Sequence, residues 1–182
     1  MTTMLFPLLL LAAGPDAASH VKAERAFLAA LPADPDDAPR EDALDAAKVA
    51  RLVALNPGRG VDVRAALMVG ELCRAKAQRA QALLTLANTA KALPEPTLAA
   101  LTSFYTGPDY ARIDALDRQG QRSAAEQAEL TALIARYRLA DLQAAMKTET
   151  EKLWNDGGFF QELERCDARE AAAFTARGLE RD

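Results

Sequence analysis

Residues 98–116, LAALTSFYTGPDYARIDAL, hold two helical runs separated by a Gly-Pro break. Apolar residues recur through both runs at steps of three and four, which is the period of a helix with one buried face. A proline is tolerated in the first turn of a helix but cannot continue one. The segment therefore predicts a helix, a tight corner and a second helix, with Phe104, Tyr105 and Tyr110 gathered around the corner.

The composition on both sides of this corner also favours helix. The chain has 182 residues, of which 50% are apolar and only 5% are aromatic. Alanine and leucine dominate, and their side chains lose little rotamer freedom in a helix. This length is typical of one domain with its own core. We predict an all-α fold, a single-domain bundle of about six helices.

Three further helices follow from local signals. Residues 62–93 form the longest candidate, in which Gly70 marks either a close helix crossing or a kink. Ser123 and Glu126 are the ends of a capping box, which starts a helix that runs toward Trp154 with a bend near residues 138–139. The last helix, residues 159–177, is expected to bury Phe159, Phe160, Leu163, Cys166, Ala173 and Phe174.

The N-terminus is typical of a secretory signal peptide. Residues 4–13, MLFPLLLLAA, are uncharged and apolar, and small residues follow them as far as Ser19. The run is shorter than the roughly 20 residues of a membrane-spanning helix. Residues 1–3 contain no Lys or Arg, which leaves a buried N-terminal helix as the alternative. We expect residues 1–19 to be removed, and a mature periplasmic or secreted protein that does not insert into membranes.

The mature chain is expected to begin with a short helix. Ser19 is placed to cap this helix, and proline and aspartate dominate residues 32–40, which read as an exposed linker. Residues 20–40 are thus a short helix and linker, and residues 41–182 are the helical domain, which begins with a helix over residues 41–55.

The two cysteines, Cys73 and Cys166, are 93 positions apart. Thiols in an exported protein tend to pair, and a bridge closing so long a loop contributes about 4 kcal/mol in the chain-entropy description. The alternative is two separately buried thiols. No C-x-x-C pattern and no zinc-ligand spacing is present, so the sequence indicates neither redox chemistry nor a metal site.

Charge argues against nucleic acid as a partner. Lys and Arg number 22 against 26 Asp and Glu, a net charge of -4, and no large basic cluster occurs. Arg74, Lys76 and Arg79 fall together on the longest helix, where they form either an anion site or, as we prefer, a solvated edge.

Residues with catalytic potential are few. The only histidine, His20, lies beside the expected cleavage region and is interpreted as an exposed terminal residue. Glu126 with Glu129, and Glu149 with Glu151, are carboxylate pairs, but acid-base work needs burial to shift a pKa. We therefore predict no catalytic residue, no cofactor and no metal.

The corner carries the one mixed group of aromatic and charged residues. Tyr105, Asp109, Tyr110 and Arg112 are the candidate ligand-binding residues. The alternative is that the rings belong to the core and that Asp109 supports the N-terminus of the second helix.

The corner also resembles a known family. Phe104, Tyr105 and Pro108 match the motif Phe-Tyr-x-Ser/Thr-Pro-x-Gly-Arg/Lys of the secreted bacterial helical family called domain of unknown function 2059. The other motif positions depart from it and hold Gly107, Tyr110 and Ala111, with Arg112 one place late. The resemblance covers residues 95–116 and implies an exported helical protein with no established activity.

These observations favour an exported, non-enzymatic protein that binds a protein or a small molecule in the periplasm. One alternative is an envelope enzyme that uses carboxylates with Tyr105 or Tyr110. Another is a structural helical scaffold.

Overall fold

A computed structural model describes residues 15–32 and 44–181 of the chain. Within these residues all regular structure is helical, which confirms the all-α prediction. The eight helices are α1 (Pro15–Ala30), α2 (Ala46–Leu55), α3 (Gly60–Ala92), α4 (Glu95–Thr106), α5 (Asp109–Asp117), α6 (Ala124–Arg136), α7 (Leu139–Asn155) and α8 (Gly158–Ala176).

The predicted count of about six helices is too low. Arg138 takes a left-handed conformation with φ of 57°, so α6 and α7 are separate helices where the sequence indicated a bend. The capping box before α6 is confirmed, because Ser123 accepts from the backbone of Glu126 while the Glu126 carboxylate accepts from that of Ser123.

Two predictions at the N-terminus have different outcomes. The proposed signal run, residues 4–13, lies outside the described residues, and so does most of the proposed linker. The predicted role of Ser19 as a helix cap is wrong, because α1 begins four residues earlier, at Pro15. Ser19 lies inside α1, and its Oγ donates to Oε1 of Glu95 over 2.7 Å.

The described residues belong to two compact units, whereas the sequence was interpreted as one bundle. The first unit contains residues 15–32 and 90–142, and the second contains residues 44–89 and 143–181. In the first unit, α1 packs on α4, and α5 packs on α4 and α6. Its fully buried side chains include Phe27, Leu98, Leu101 and Leu116.

The corner between α4 and α5 has the predicted form. The α4 helix ends at Thr106 and α5 begins at Asp109. A Cβ added at Gly107 would lie 2.7 Å from the carbonyl oxygen of Ser103, so the chain can turn this tightly only with glycine at that position.

The second unit has a separate apolar core. Buried side chains of α2, α3 and α8, with one from the C-terminal tail, form it: Leu52, Val63, Ala66, Leu67, Ala173, Phe174 and Leu179. Asn56 joins the tail to the end of α2, because its side chain donates to the carbonyl of Glu180 and accepts from the backbone N–H of Glu180.

The two cysteines also lie in the second unit. Their sulfur atoms are 2.08 Å apart and their Cα atoms 5.4 Å apart, which is the spacing of a disulfide. The predicted pairing of Cys73 with Cys166 is thereby confirmed, and it joins α3 to α8. None of the described helices is both long enough and apolar enough to cross a membrane.

Candidate functional site

The corner residues lie in a cluster of five aromatic rings. The ring centre of Phe104 is 5.0 Å from that of Tyr105, 5.5 Å from that of Tyr110 and 5.2 Å from that of Tyr137. Phe27 of α1 completes the cluster, 6.2 Å from Tyr105. The sequence indicated three of these rings, and the other two, Phe27 and Tyr137, come from distant parts of the chain.

The charged residues of the corner hydrogen-bond other protein groups. Asp109 Oδ2 accepts from the hydroxyl of Tyr137 over 2.6 Å. This bond stabilises the protonated phenol and raises the pKa of Tyr137. Arg112 donates through two nitrogens to Glu129, at 2.8 and 2.6 Å. The structure therefore brings Tyr105 and Tyr110 together, 5.5 Å apart, but Asp109 and Arg112 each bind a residue outside the predicted set. Their role in ligand binding stays a prediction.

His20 is held by neighbours rather than lying free at a terminus. Its Nε2 lies 3.1 Å from Oε1 of Glu24 and 3.3 Å from the carbonyl oxygen of Lys91. His20 is therefore partly buried beside the end of α3, and the interpretation that it is exposed is wrong. Its position at the terminus of a cleaved chain stays a prediction.

The sequence analysis did not identify one buried carboxylate in the second unit. Glu170 is fully buried and accepts from Lys48 Nζ over 2.7 Å and from Arg74 Nη2 over 2.9 Å. Burial by itself would raise the pKa of Glu170, but the bonds from Lys48 and Arg74 outweigh that effect and hold the pKa below its ordinary value. Its position was visible in the sequence, since Glu170 is four residues after Cys166 and falls on the buried stripe of α8.

Gly70 lies directly against this carboxylate. A Cβ on Gly70 would be 2.4 Å from Oε2 of Glu170, so Gly70 marks a close crossing of α3 and α8. The basic run around Arg74 does not form one anion site, because Arg74 is already bonded to Glu71, Asp167 and Glu170. Lys76, two residues further on, borders a groove instead.

Two cavities border α3 in the second unit, and we call them together the α3 groove. They have volumes of about 400 and 320 Å³ and lie on either side of Gln81 and Phe159, which line both. The first is lined by Cys73, Lys76, Ala77, Ala80, Gln81, Leu84, Gly158, Phe159, Glu162 and Arg169. The second is lined by Gln78, Gln81, Ala82, Thr85, Leu86, Met146, Thr150, Trp154 and Phe159.

Large apolar side chains lie exposed in and beside the groove. Trp154 is 54% exposed and Phe160 51%, and their ring centres are 6.5 Å apart. Leu83 and Leu84 of α3 are also exposed. The prediction that Phe160 is buried is therefore wrong. Consecutive residues point about 100° apart on a helix, so the stripe that turns Phe159 inward leaves Phe160 outside.

The two cavities differ in charge. Lys76 and Arg169 line the first cavity, near the disulfide, and neither has a carboxylate partner among the described residues. Glu162 also lies there, but it is already paired with Arg165. The lining of the second cavity contains no charged residue. The first cavity thus has two cations and one carboxylate in its lining, and the second has only uncharged residues.

Gln81, which borders both cavities, has a buried side-chain nitrogen without a hydrogen-bond partner among the described residues. The Nε2 atom of Gln81 is buried and donates to no acceptor within residues 15–32 and 44–181. An amide donor left in this state is costly unless an oxygen reaches it. Over the same residues, no group of three or more His, Cys, Asp or Glu side chains is arranged to hold a metal ion.

Comparison with known proteins adds no functional assignment. No protein-family model, curated protein or solved structure matches this chain. The resemblance of the corner to domain of unknown function 2059 therefore stays a prediction.

Proposed function

We propose that this chain is an exported, non-enzymatic binding protein of the periplasm, and that it holds its ligand in the α3 groove. The observation that carries the proposal is the exposure of two large apolar side chains that line the cavities, Leu84 in the first and Trp154 in the second. A folded chain leaves large apolar groups in a contiguous exposed groove chiefly where a ligand or partner covers them.

Two observations support export. The apolar run at residues 4–13 has the length of a signal-peptide core. The Cys73–Cys166 pair lies at bonding distance, and disulfides persist mainly in oxidising compartments. N-terminal sequencing of protein recovered from the periplasm tests this part. A first residue between positions 14 and 20 supports export with cleavage, and a sequence that begins at Met1 contradicts it.

The enzymatic alternative receives less support from the electrostatics. Burial first, and the neighbouring Tyr110 second, raise the pKa of Tyr105, which makes it a weaker proton donor at neutral pH. The carboxylates of Glu126 and Glu129 have lowered pKa values, because Glu126 accepts from Ser123 and Glu129 from Arg112. Neither carboxylate has the raised pKa that a general acid needs near neutral pH.

Binding at the α3 groove can be tested with a neutral apolar dye. The full chain is titrated with Nile red, and the emission of Trp154, the one tryptophan in the sequence, is followed together with that of the dye. We compare the wild type with Ala80→Phe, which places a ring inside the groove, and with Ala65→Phe as a control at an exposed site of the same helix.

We expect the wild type and Ala65→Phe to bind one equivalent of dye with a change in Trp154 emission, and Ala80→Phe to bind at least tenfold more weakly. Equal binding by all three proteins, or binding that leaves Trp154 unchanged, would show that the groove is not the site. Absence of binding in all three would favour the scaffold alternative.

A further inference from the structure

The lining of the first cavity combines charged and apolar residues. Lys76 and Arg169 are cations and Glu162 is a carboxylate, so the lining has a net charge of one positive unit. The rest of the lining includes the ring of Phe159 and several small side chains. Resting on the proposed function, we propose that the first cavity binds a small aromatic monocarboxylate, with its carboxylate beside Lys76 and Arg169 and its ring against Phe159.

The size of the first cavity limits the size of the ligand. Gln81 and Phe159 separate this cavity from the second, so the ligand is confined to a volume of about 400 Å³. Sites for small molecules range from about 300 to 1,000 Å³. The first cavity is near the lower limit of that range, which fits a ligand with one ring and a short acidic side chain.

The contacts on either side of the disulfide show how α3 and α8 run beside the first cavity. Cys73 is bonded to Cys166. Gly70, three residues earlier on α3, lies against Glu170, four residues later on α8. The two helices are therefore antiparallel at this level.

Both cations lean toward the disulfide. Lys76 is three residues beyond Cys73 on α3, and Arg169 is three residues beyond Cys166 on α8. Side chains on a helix point back toward its N-terminus, so on antiparallel helices these two lean toward each other. Arg169 shows this directly, because its Nη1 is 3.7 Å from Sγ of Cys73. A carboxylate near Cys73 can thus contact both cations.

The protein itself does not neutralise these cations. Lys76 and Arg169 are both exposed, and neither has a carboxylate partner within residues 15–32 and 44–181. Glu162, the one carboxylate in the lining, is paired with Arg165. A ligand carboxylate would form charge-assisted hydrogen bonds with both cations. An exposed ion pair contributes about threefold in Kd, so two contribute about tenfold.

The apolar part of the lining favours a planar ligand body. On α3 the cavity is lined by Ala77 and Ala80, which are three residues apart and carry only methyl groups, and by Leu84. On α8 it is lined by the ring of Phe159. Aromatic rings pack in offset-stacked or edge-to-face pairs that add to the effect of burial alone. A flat ring can pack on Phe159 without meeting a bulky side chain at Ala77 or Ala80.

A zwitterionic aromatic amino acid is the competing occupant. Its carboxylate would bind the same two cations, and its ammonium group would need a carboxylate in the lining. Glu162 is the one such group, and it already forms an ion pair with Arg165. An ammonium group would have to displace Arg165, which favours a ligand with a single negative charge.

The charge and the ring of the ligand are tested with compounds of one carbon skeleton. The full chain is titrated calorimetrically with hydrocinnamate, hydrocinnamyl alcohol, phenylpropylamine and L-phenylalanine. We expect hydrocinnamate to bind about tenfold more tightly than the alcohol, phenylalanine to bind more weakly than hydrocinnamate, and the amine to bind most weakly. Cyclohexylpropanoate has the same charge but a thicker ring that cannot stack, and it should bind about threefold more weakly than hydrocinnamate.

Three variants locate the carboxylate of the ligand. Lys76→Gln combined with Arg169→Gln should weaken hydrocinnamate binding about tenfold and leave binding of the alcohol unchanged. Arg64→Gln combined with Lys147→Gln is the matched control, because it removes one arginine and one lysine at exposed positions that line neither cavity. It should bind both ligands as the wild type does. Lys76→Gln alone should weaken hydrocinnamate about threefold, and it replaces the double variant if thermal unfolding shows that the latter is not folded.

The outcomes separate this inference from the proposed function. If hydrocinnamate and its alcohol bind equally, or if cyclohexylpropanoate binds as tightly as hydrocinnamate, the assignment of an aromatic carboxylate is wrong. If phenylalanine binds more tightly than hydrocinnamate, the ligand is an amino acid and the inference is again wrong. If Nile red binds and none of these compounds does, the inference fails and the proposed function stands. If neither Nile red nor any of these compounds binds, both proposals fail.

Discussion

Replacing Gly70 by alanine tests the close crossing of α3 and α8. The added Cβ would lie 2.4 Å from Oε2 and 2.9 Å from Cβ of Glu170, both shorter than real contacts allow. Glu170 cannot simply move away, because it is fully buried and its two carboxylate oxygens accept from Lys48 and Arg74. The helices must separate, or the bonds to Glu170 must stretch.

The expected loss in the free energy of unfolding of Gly70→Ala is the difference between two opposing effects. Overpacking a well-filled interior costs about 1–3 kcal/mol, and disturbing the bonds of a buried charge adds to it. Alanine in a helix interior gains about 1 kcal/mol relative to glycine. We therefore expect Gly70→Ala to lower the free energy of unfolding by about 2 kcal/mol. Replacing an exposed helical glycine by alanine would instead stabilise the protein.

The assay is urea unfolding followed by the emission of Trp154, which lies in the same compact unit as Gly70. Gly158→Ala is the control, because a Cβ there meets nothing within 4 Å, and its stability should equal or exceed that of the wild type. In a Glu170→Ala background the carboxylate that the new Cβ would meet is absent. The loss in free energy of unfolding caused by Gly70→Ala should therefore be at least about 1 kcal/mol smaller there than in the wild-type background. A Gly70→Ala protein as stable as the wild type would refute the close crossing.

Three further predictions concern stability. The lowered pKa of Glu170 means that its contribution to stability is fully present above its unfolded pKa, about 4.3, and is lost as pH falls through the lower folded pKa. Between these two pKa values the stability of Glu170→Gln should therefore depend less on pH than that of the wild type, and parallel pH profiles would contradict this. Reduction of the Cys73–Cys166 disulfide should lower the free energy of unfolding by about 4 kcal/mol. Alkylation of the unreduced, denatured protein should give no mass shift, whereas a shift would show free thiols. Phe104→Ala should cost about 3–5 kcal/mol because the ring is buried against three others, and Tyr110→Ala much less because Tyr110 is 38% exposed. Thermal unfolding followed by circular dichroism measures both losses, and equal losses would contradict the described packing.

The candidate site shows which contacts a local sequence pattern predicts and which it does not. Tyr105 and Tyr110 were expected to share the corner, and their rings do lie together. The hydroxyl of Tyr137 that binds Asp109 comes from 28 residues further along the chain, and no periodicity within the corner indicates it. The α3 groove was absent from the prediction for the same reason, because α3, α7 and α8 supply its lining and each helix shows only its own pattern in the sequence.

The sequence by itself determined the features that depend on neighbours within a few residues. These are the all-helical composition, the corner at Gly107 and the capping box at Ser123, since caps, turns and helical periods act over three or four residues. Near Arg138 the sequence predicted only a bend, and the structure has two separate helices there. Pairing of Cys73 with Cys166 was also accessible, because only two cysteines exist. The tertiary structure alone decided which helix faces which. It placed the Glu170 carboxylate between Lys48 and Arg74, left Phe160 exposed, and formed the groove, because each of these depends on contacts between residues far apart in the chain.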